Sequence, residues 1–406
     1  MNLISVNNAL RIVLENTENF GFEIIDFLDS SGRILKEPII ADRDFPPFDR
    51  VSMDGITISS KVFDKGQREF KIEGIQAAGS EQLTLQNKNN CIETMTGAML
   101  PENSDAVIQY ELTSIKDGIA RVNTEVVKNF QNIHKKGADR KQGAILIDEN
   151  TMISAAEIGV IATVGKTKVK VAKQPKVMIV STGNELVEVS ETPTEYQIRR
   201  SNVYTLVSLL QRININADTA HILDDKRTLT DKIEAFLTDY DVLIFSGAVS
   251  KGKFDYIPEV LNELGVKKLF HKVSQRPGKP FWFGKKESSN KQRTDKTVFA
   301  FPGNPVSTFV SCLKYFYPWF AKSVGLEFEE KEASLTEDFN FKPQLTYFLQ
   351  VKLSQNQGIL LATPLAGKGS GDLTNLVDAD AFLELPSDRT NFVKGEVFPI
   401  LSYRNF

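Results

Sequence analysis

The chain has 406 residues, 41% of them hydrophobic and 25% charged, with a formal net charge of −3. That length suits about two to four domains, and the charge balance excludes a global basic field for nucleic acid or an anionic membrane. Two cysteines, Cys91 and Cys312, cannot build a disulfide framework, and three scattered histidines without a CxxC pair argue against a zinc or His-based metal site.

The N-terminal stretch MNLISVNNALRIVLENT lacks a signal-peptide core. No run approaches the roughly 18 apolar residues of a membrane span. A cytoplasmic, reducing compartment is therefore expected. Residues 5–15 read as an amphipathic helix capped by Ser5. The segment ILKEPIIADRDFPPFDRVSMDG, with three prolines and many charges, reads as a connector. Between about 50 and 140, short β-prone pieces (GITISS, REFKIEGI, CIETMTG, DAVIQYE) alternate with turns and predict a β-rich module. Ser154 and Glu157 then form a capping box, with Gly165 as the helix stop. This returning helix makes the β module an insertion between two parts of a helical domain.

From Pro175 to about 325, strands and helices alternate. KVMIVSTG reads as a buried strand and SNVYTLVSLLQ as a helix with Leu206, Leu209, Leu210 and Ile213 aligned. A second helix carries Leu229, Ile233, Phe236 and Leu237. The apolar run Val242–Phe245 is a further strand. It is followed by a small, polar loop and a helix through Phe254, Ile257, Val260, Leu261 and Leu264 that stops at Gly265. TVFAFPGNP leads into a helix through Phe309, Val310, Leu313 and Phe316. Such alternation predicts a parallel sheet with helices on both faces, and from about 330 a small β domain. The expected fold is multidomain α/β plus β, with a central three-layer α/β domain. Its expected parts are 1–45 with 140–174 (helical and linking), 46–139 (inserted, β-rich), 175–328 (α/β) and 329–406 (C-terminal β).

Three loops follow strands of the α/β part and should share the carboxyl edge of one sheet, where open α/β sheets bind ligands. They are Ser181 to Glu185, Ser246 to Asp255 and Pro302 to Pro305. A strand, a glycine and serine loop and a helix N-terminus make an anion site. Hydroxyls and N–H groups of Thr182, Gly183, Ser246, Gly247, Ser250 and Gly252 would hold a phosphate. Glu185 and Asp255, the latter read as lying in the first helical turn, would hold a metal or a polar ring, because an acid beside phosphate is tolerable mainly when a cation bridges the two. Asn304 and Pro305 also read simply as a helix start. Lys279, pinned between Pro277 and Pro280, supplies a fixed cation for an anion or reads as a solvated surface lysine.

Taken together, FDRVSMDG, TGAMLPENSDAV, GADRKQGAIL, ISAAEIGVIATVG, VSTGNELV, SGAVSKGKFDY, RPGKP and FPGNPVS occur in an order that resembles the molybdopterin molybdenumtransferase family, which includes the bacterial MoeA proteins and the C-terminal domain of gephyrin. The resemblance implies an elongated homodimer of four-domain subunits. The implied reaction takes adenylylated molybdopterin and molybdate, cleaves the adenylate with release of AMP and leaves the metal on the dithiolene, with Mg²⁺. A molybdopterin adenylyltransferase is the implied upstream partner.

Carried over by motif, Asp54, Thr96 and Asp139 are residues that the partner subunit contributes to a shared site. Glu185 and Asp255 are the acids of the α/β side. Asp224 or Asp225 matches a further acid, and the resemblance favours neither. Lys279, Pro302, Pro305 and, in a C-terminal loop, Ser370 complete the set. The chain departs from the pattern at Ala248 and Lys251, and at Arg199-Arg200, where the family carries Tyr-Asp before Ser-Asn. Adenylyl transfer alone would leave the β insertion and the C-terminal domain without a role. A pure scaffold would have no reason to keep acids on phosphate loops.

Overall fold

The computed structural model describes residues 3–247, 255–288, 294–365 and 367–404. Contacts divide the chain into two compact units. One comprises Met1–Lys36, Asn150–Ala155 and Lys168–Phe406, the other Glu37–Glu149 and Ala156–Thr167.

The larger unit is built on a six-stranded sheet in the order 217–222, 177–182, 242–246, 296–301, 282–286, 267–271. Strand Val177–Thr182 is buried along its whole length, as expected when both faces are covered. Val177 and Ile179 point to one face, with Leu206, Leu209 and Leu210 of helix Ser201–Gln211 and with Val306 and Val310. Met178 and Val180 point to the other, with Leu229 and Ile233 of helix Lys226–Asp239 and Val260 and Leu261 of helix Ile257–Glu263. This is the three-layer arrangement read from the alternation.

The sheet is mixed rather than parallel throughout. The first four strands pair parallel, whereas 282–286 pairs antiparallel with both 296–301 and 267–271. The sequence between these last strands carries no crossover helix pattern, and a parallel pair needs a crossover. The helix after PGNP is also interrupted. It runs Pro305–Ser311, makes a π-helical turn over Cys312–Phe316 and resumes over Tyr317–Val324. Pro318 has no N–H to give the carbonyl four residues back, which removes one bond from the ladder at that turn.

The C-terminal strands form a second sheet, in the order 275–276, 346–356, 359–364, 331–335, 397–402, 381–385. It closes through pairing of 346–356 with 381–385. Phe348, Phe382 and Tyr403 enter the same core as Phe281, Phe299 and Trp319. The N-terminal helix Val6–Glu15, capped by Ser5 through Asn8 N–H at 3.2 Å, adds Val6, Ala9 and Val13 to that core.

The smaller unit carries its own six-stranded sheet, in the order 106–109, 55–58, 91–94, 69–76, 119–122, 113–116. Ile56, Ile58, Phe63, Phe70 and Ile108 fill its core. The β-prone pieces of the sequence are its strands. The stretch before it, read as a connector, supplies two further short strands, Ile39–Ile40 and Arg50–Val51.

Candidate functional site

Parallel register decides what gathers at the carboxyl edge of the main sheet. Ser181 lies opposite Ser246 and His221, and Ser246 lies opposite Phe301. Neighbouring strands are about 4.8 Å apart, so the loops that follow them are brought side by side. Gly183 adopts φ +137°, and a Cβ there would lie 2.5 Å from a Glu185 carboxylate oxygen. The glycine is therefore needed for both its backbone angle and the acid folded over it. Gly247 N–H donates to Phe301 O at 3.1 Å, and Asn202 Nδ2 donates to Gly303 O at 2.7 Å.

Glu185 and Asp255 share this edge with Asp224. Burial, and then the negative charges of Glu185 and Asp255, raise the Asp224 carboxyl above the ordinary aspartate range; Asn184 and His221 oppose the shift without cancelling it. Asn184 Oδ1 accepts Asp224 N–H at 3.1 Å and so ties the two acid-bearing loops together. Asp225, the other acid of the pair, caps helix Lys226–Asp239. Its carboxylate accepts Thr228 N–H at 2.8 Å and the Thr228 hydroxyl at 2.6 Å, and these bonds lower its pKa. The acid that faces Glu185 and Asp255 is thus Asp224, and Asp225 is occupied elsewhere. Asp255 itself precedes the helix, which Tyr256 caps, and is not in its first turn. Ser250 and Gly252, with Ala248 and Lys251, lie outside the described residues.

Thr182 Oγ1, Arg200 Nε and His221 Nε2 are buried and make no hydrogen bond. Arg200 is 6% exposed and pairs with Glu188 at 3.1 Å. Buried polar atoms of this kind are normally satisfied, and here three of them sit on or beside the acid-bearing loops. Among the described residues no group of three or more His, Cys, Asp or Glu is close enough to hold a metal ion by itself. The acids that raise the Asp224 carboxyl have the chemistry of a site for a cation shared with a phosphate ligand.

On the same unit, Lys279 and Pro302 border a cavity of about 600 Å³ together with Arg276, Lys368 and Ser370. Asn304 occupies the N-cap position before Pro305, but its side chain makes no capping bond. Its Nδ2 donates to Ser370 Oγ at 2.7 Å, and Val306 N–H donates to Ser370 O at 3.1 Å. The PGNP turn and the C-terminal loop are thereby locked together. Beneath the PGK loop, fully buried Gln275 accepts from the Tyr315 hydroxyl through Oε1 and donates through Nε2 to Pro277 O at 3.0 Å.

In the smaller unit, antiparallel pairing of Gly55 with Thr94 brings Asp54 beside Thr96. A Cβ on Gly55 would lie 1.9 Å from Ile108 O, so the MDG turn admits no larger residue. Asp54 Oδ1 accepts Thr96 N–H at 2.6 Å, which lowers the pKa of this exposed acid. Asp139 Oδ1 lies 2.9 Å from His134 Nε2.

Sequence reasoning missed Asn184, Gln275, Tyr315 and Lys368. Asn184 stands inside the loop Ser181 to Glu185 already singled out, and Lys368 lies two residues before Ser370, so both were legible there. Gln275 and Tyr315 are 40 residues apart, and no local pattern connects them.

Comparison with known proteins agrees with this architecture. Residues 4–165 match the MoeA N-terminal region (domain I and II), 178–322 the probable molybdopterin binding domain and 332–403 the MoeA C-terminal region (domain IV). A molybdopterin molybdenumtransferase of Synechocystis sp. is 41% identical over 404 residues, covering 99% of this chain and all of its own. One of Bacillus subtilis is 30% identical over 414 residues, covering 99% and 94%. The crystal structure of a molybdopterin biosynthesis MoeA protein from Pyrococcus horikoshii superposes with a TM-score of 0.83 at 29% identity, covering both chains completely. Covering at least 94% of each of these relatives, with all three regions in order, the chain belongs to the molybdopterin molybdenumtransferase family.

Proposed function

We propose that this enzyme transfers molybdenum from molybdate to adenylylated molybdopterin, releasing AMP in a Mg²⁺-dependent reaction. One observation carries the reading: Glu185 and Asp255 lie near enough to Asp224 for their charges to raise its carboxyl, beside phosphate-type loops and in the same unit as a cavity bordered by Lys279 and Lys368. Carboxylates beside phosphate oxygens suit a hard divalent cation that the two share. Lysines suit an oxyanion.

Glu185 and Asp255 would hold Mg²⁺, which when bound neutralises phosphate charge. Gly183, Gly247, Thr182 and Ser246 orient the phosphates; Ser250 and Gly252, which the motif adds as further donors, lie outside the described residues. Lys279, with Ser370 locked against Asn304, positions the incoming oxyanion rather than activating it. The two dithiolene sulfurs replace two oxygens of molybdate, which leave as water, and water adds across the phosphoanhydride, so that AMP leaves and the pterin keeps its own phosphate.

The same reading makes the protein a cytoplasmic homodimer with a shared site, in which Asp54, Thr96 and Asp139 serve the partner's α/β acids. Four domains follow, 1–45 with 140–174, 46–139, 175–328 and 329–406. An adenylyltransferase must supply the substrate, since the adenylate is consumed. No helix of the described residues is long and apolar enough to cross a membrane.

The test is reconstitution. Purified protein is mixed with adenylylated molybdopterin, molybdate and Mg²⁺, and AMP is followed. AMP release that requires both molybdate and Mg²⁺ is expected. Tight binding of the adenylylated pterin without release would instead indicate a scaffolding or decayed member of the family.

A further inference from the structure

Strands Arg50–Val51 and Ile133–His134 pair antiparallel, with Arg50 opposite His134. Side chains opposed in this way lie about 5 Å apart at Cβ, and Arg50 Nη2 reaches His134 Nδ1 at 3.2 Å. A guanidinium only donates. Nδ1 must therefore accept, which leaves the ring proton on Nε2. Nε2 lies 2.9 Å from Asp139 Oδ1 and donates to it. With Nδ1 accepting from Arg50, the ring hydrogen that reaches Asp139 is the one on Nε2.

The backbone of Asp139 is anchored separately. Its N–H donates to Phe45 O at 2.9 Å, and Arg140 Nη1 donates to its carbonyl at 2.8 Å. The loop holds its course without the imidazole, and the relay ends on the carboxylate, which remains 56% exposed and open to a ligand. An exposed aspartate samples several rotamers, and binding one oxygen selects among them before substrate arrives.

We propose that Arg50 and His134 are positioning residues that fix the tautomer of the imidazole and, through its Nε2–H, hold the carboxylate of Asp139 in one orientation. The proposal rests on the reading that Asp139 belongs to the site. A glutamine at position 134 keeps a donor at the ε position and an acceptor for Arg50, whereas alanine keeps neither.

Two measurements on the full-length protein separate the relay from the site. Long-range ¹H–¹⁵N correlation spectra, with His134 assigned from the His134→Gln protein, are expected to show Nε2 protonated and Nδ1 bare. A protonated Nδ1 would overturn the relay whatever the enzyme does. In the AMP-release assay, His134→Ala is expected to lower kcat/KM about tenfold with an unchanged thermal midpoint, as a misoriented group costs. His134→Gln should restore most of it, and His134→Ala should add nothing in an Asp139→Ala background. Full activity of His134→Ala beside an impaired Asp139→Ala would overturn the positioning role. Full activity of Asp139→Ala would overturn the place of Asp139 in the site, and the positioning role with it, while the spectra still decide the tautomer.

Discussion

Asp224 and Asp225 are adjacent in the chain and titrate in opposite directions. Asp224 is raised by burial and by two neighbouring acids, so the folded protein holds its proton more tightly than the unfolded chain does. Its contribution to stability is fully present below the unfolded pKa, near 3.9, and is lost as pH rises through the folded value. At pH 7 the ionised acid therefore works against folding. Replacing Asp224 by Asn should raise the thermal midpoint at pH 7 and flatten its pH dependence above about pH 4, while lowering turnover by at least about tenfold. A lower midpoint at pH 7, measured by calorimetry, would refute the like-charge account.

Asp225 is lowered by its capping bonds. Its stabilisation is present above the unfolded pKa and is lost as pH falls through the folded value. Asp225→Ala should lower the thermal midpoint at pH 7 and leave AMP release unchanged. The sequence presented two acids side by side. Only the cap geometry of the helix start and the register of the neighbouring strand distinguish them.

At the scale of elements, the PGK loop depends on groups that its own sequence does not contain. Gln275 and Tyr315 are fully buried and satisfy each other beneath it. Tyr315→Phe removes one hydroxyl and leaves Gln275 Oε1 buried without its partner, which costs about 1–3 kcal/mol. Denaturant unfolding should show that loss. The same variant should also raise KM for molybdate, because the loop that carries Lys279 loses its support.

A purely apolar change behaves differently. Phe299 packs among Phe281, Phe283, Phe301, Phe316 and Trp319. Phe299→Ala should cost about 3–5 kcal/mol through lost burial and the cavity left behind. Any activity loss should then track unfolding rather than KM. Strand and helix identities in this region were legible, because apolar period and turn residues are local. The π-helical turn and the antiparallel edge did have local signals, Pro318 within the helical pattern and the missing crossover helix between the last strands, but the expectation of a parallel sheet passed over them.

At the scale of the molecule, the shared site is tested by complementation. Asp54→Ala and Asp255→Ala proteins should each be inactive. Unfolded and refolded together, or exchanged through subunit dissociation, they should recover about a quarter of wild-type turnover, because half of randomly formed C₂ dimers are mixed and each has one intact site of two. No recovery, with mixed dimers demonstrated by mass, would rule out a site built from two subunits.

The sequence by itself determined the family, the order of its motifs, the helices, the buried strands and the identity of Glu185, Asp255, Lys279 and Asp54 as candidates. Each of these is written in local period, turn chemistry or contiguous motif. Tertiary structure decided which neighbouring acid faces Glu185 and Asp255, what Asn304 bonds and that Arg50 meets His134. It also set Gln275 under the PGK loop and the C-terminal aromatics in the core of the main sheet. These depend on strand register and on pairs far apart in the chain, and side chains meet across such distances only once the backbone has closed around them.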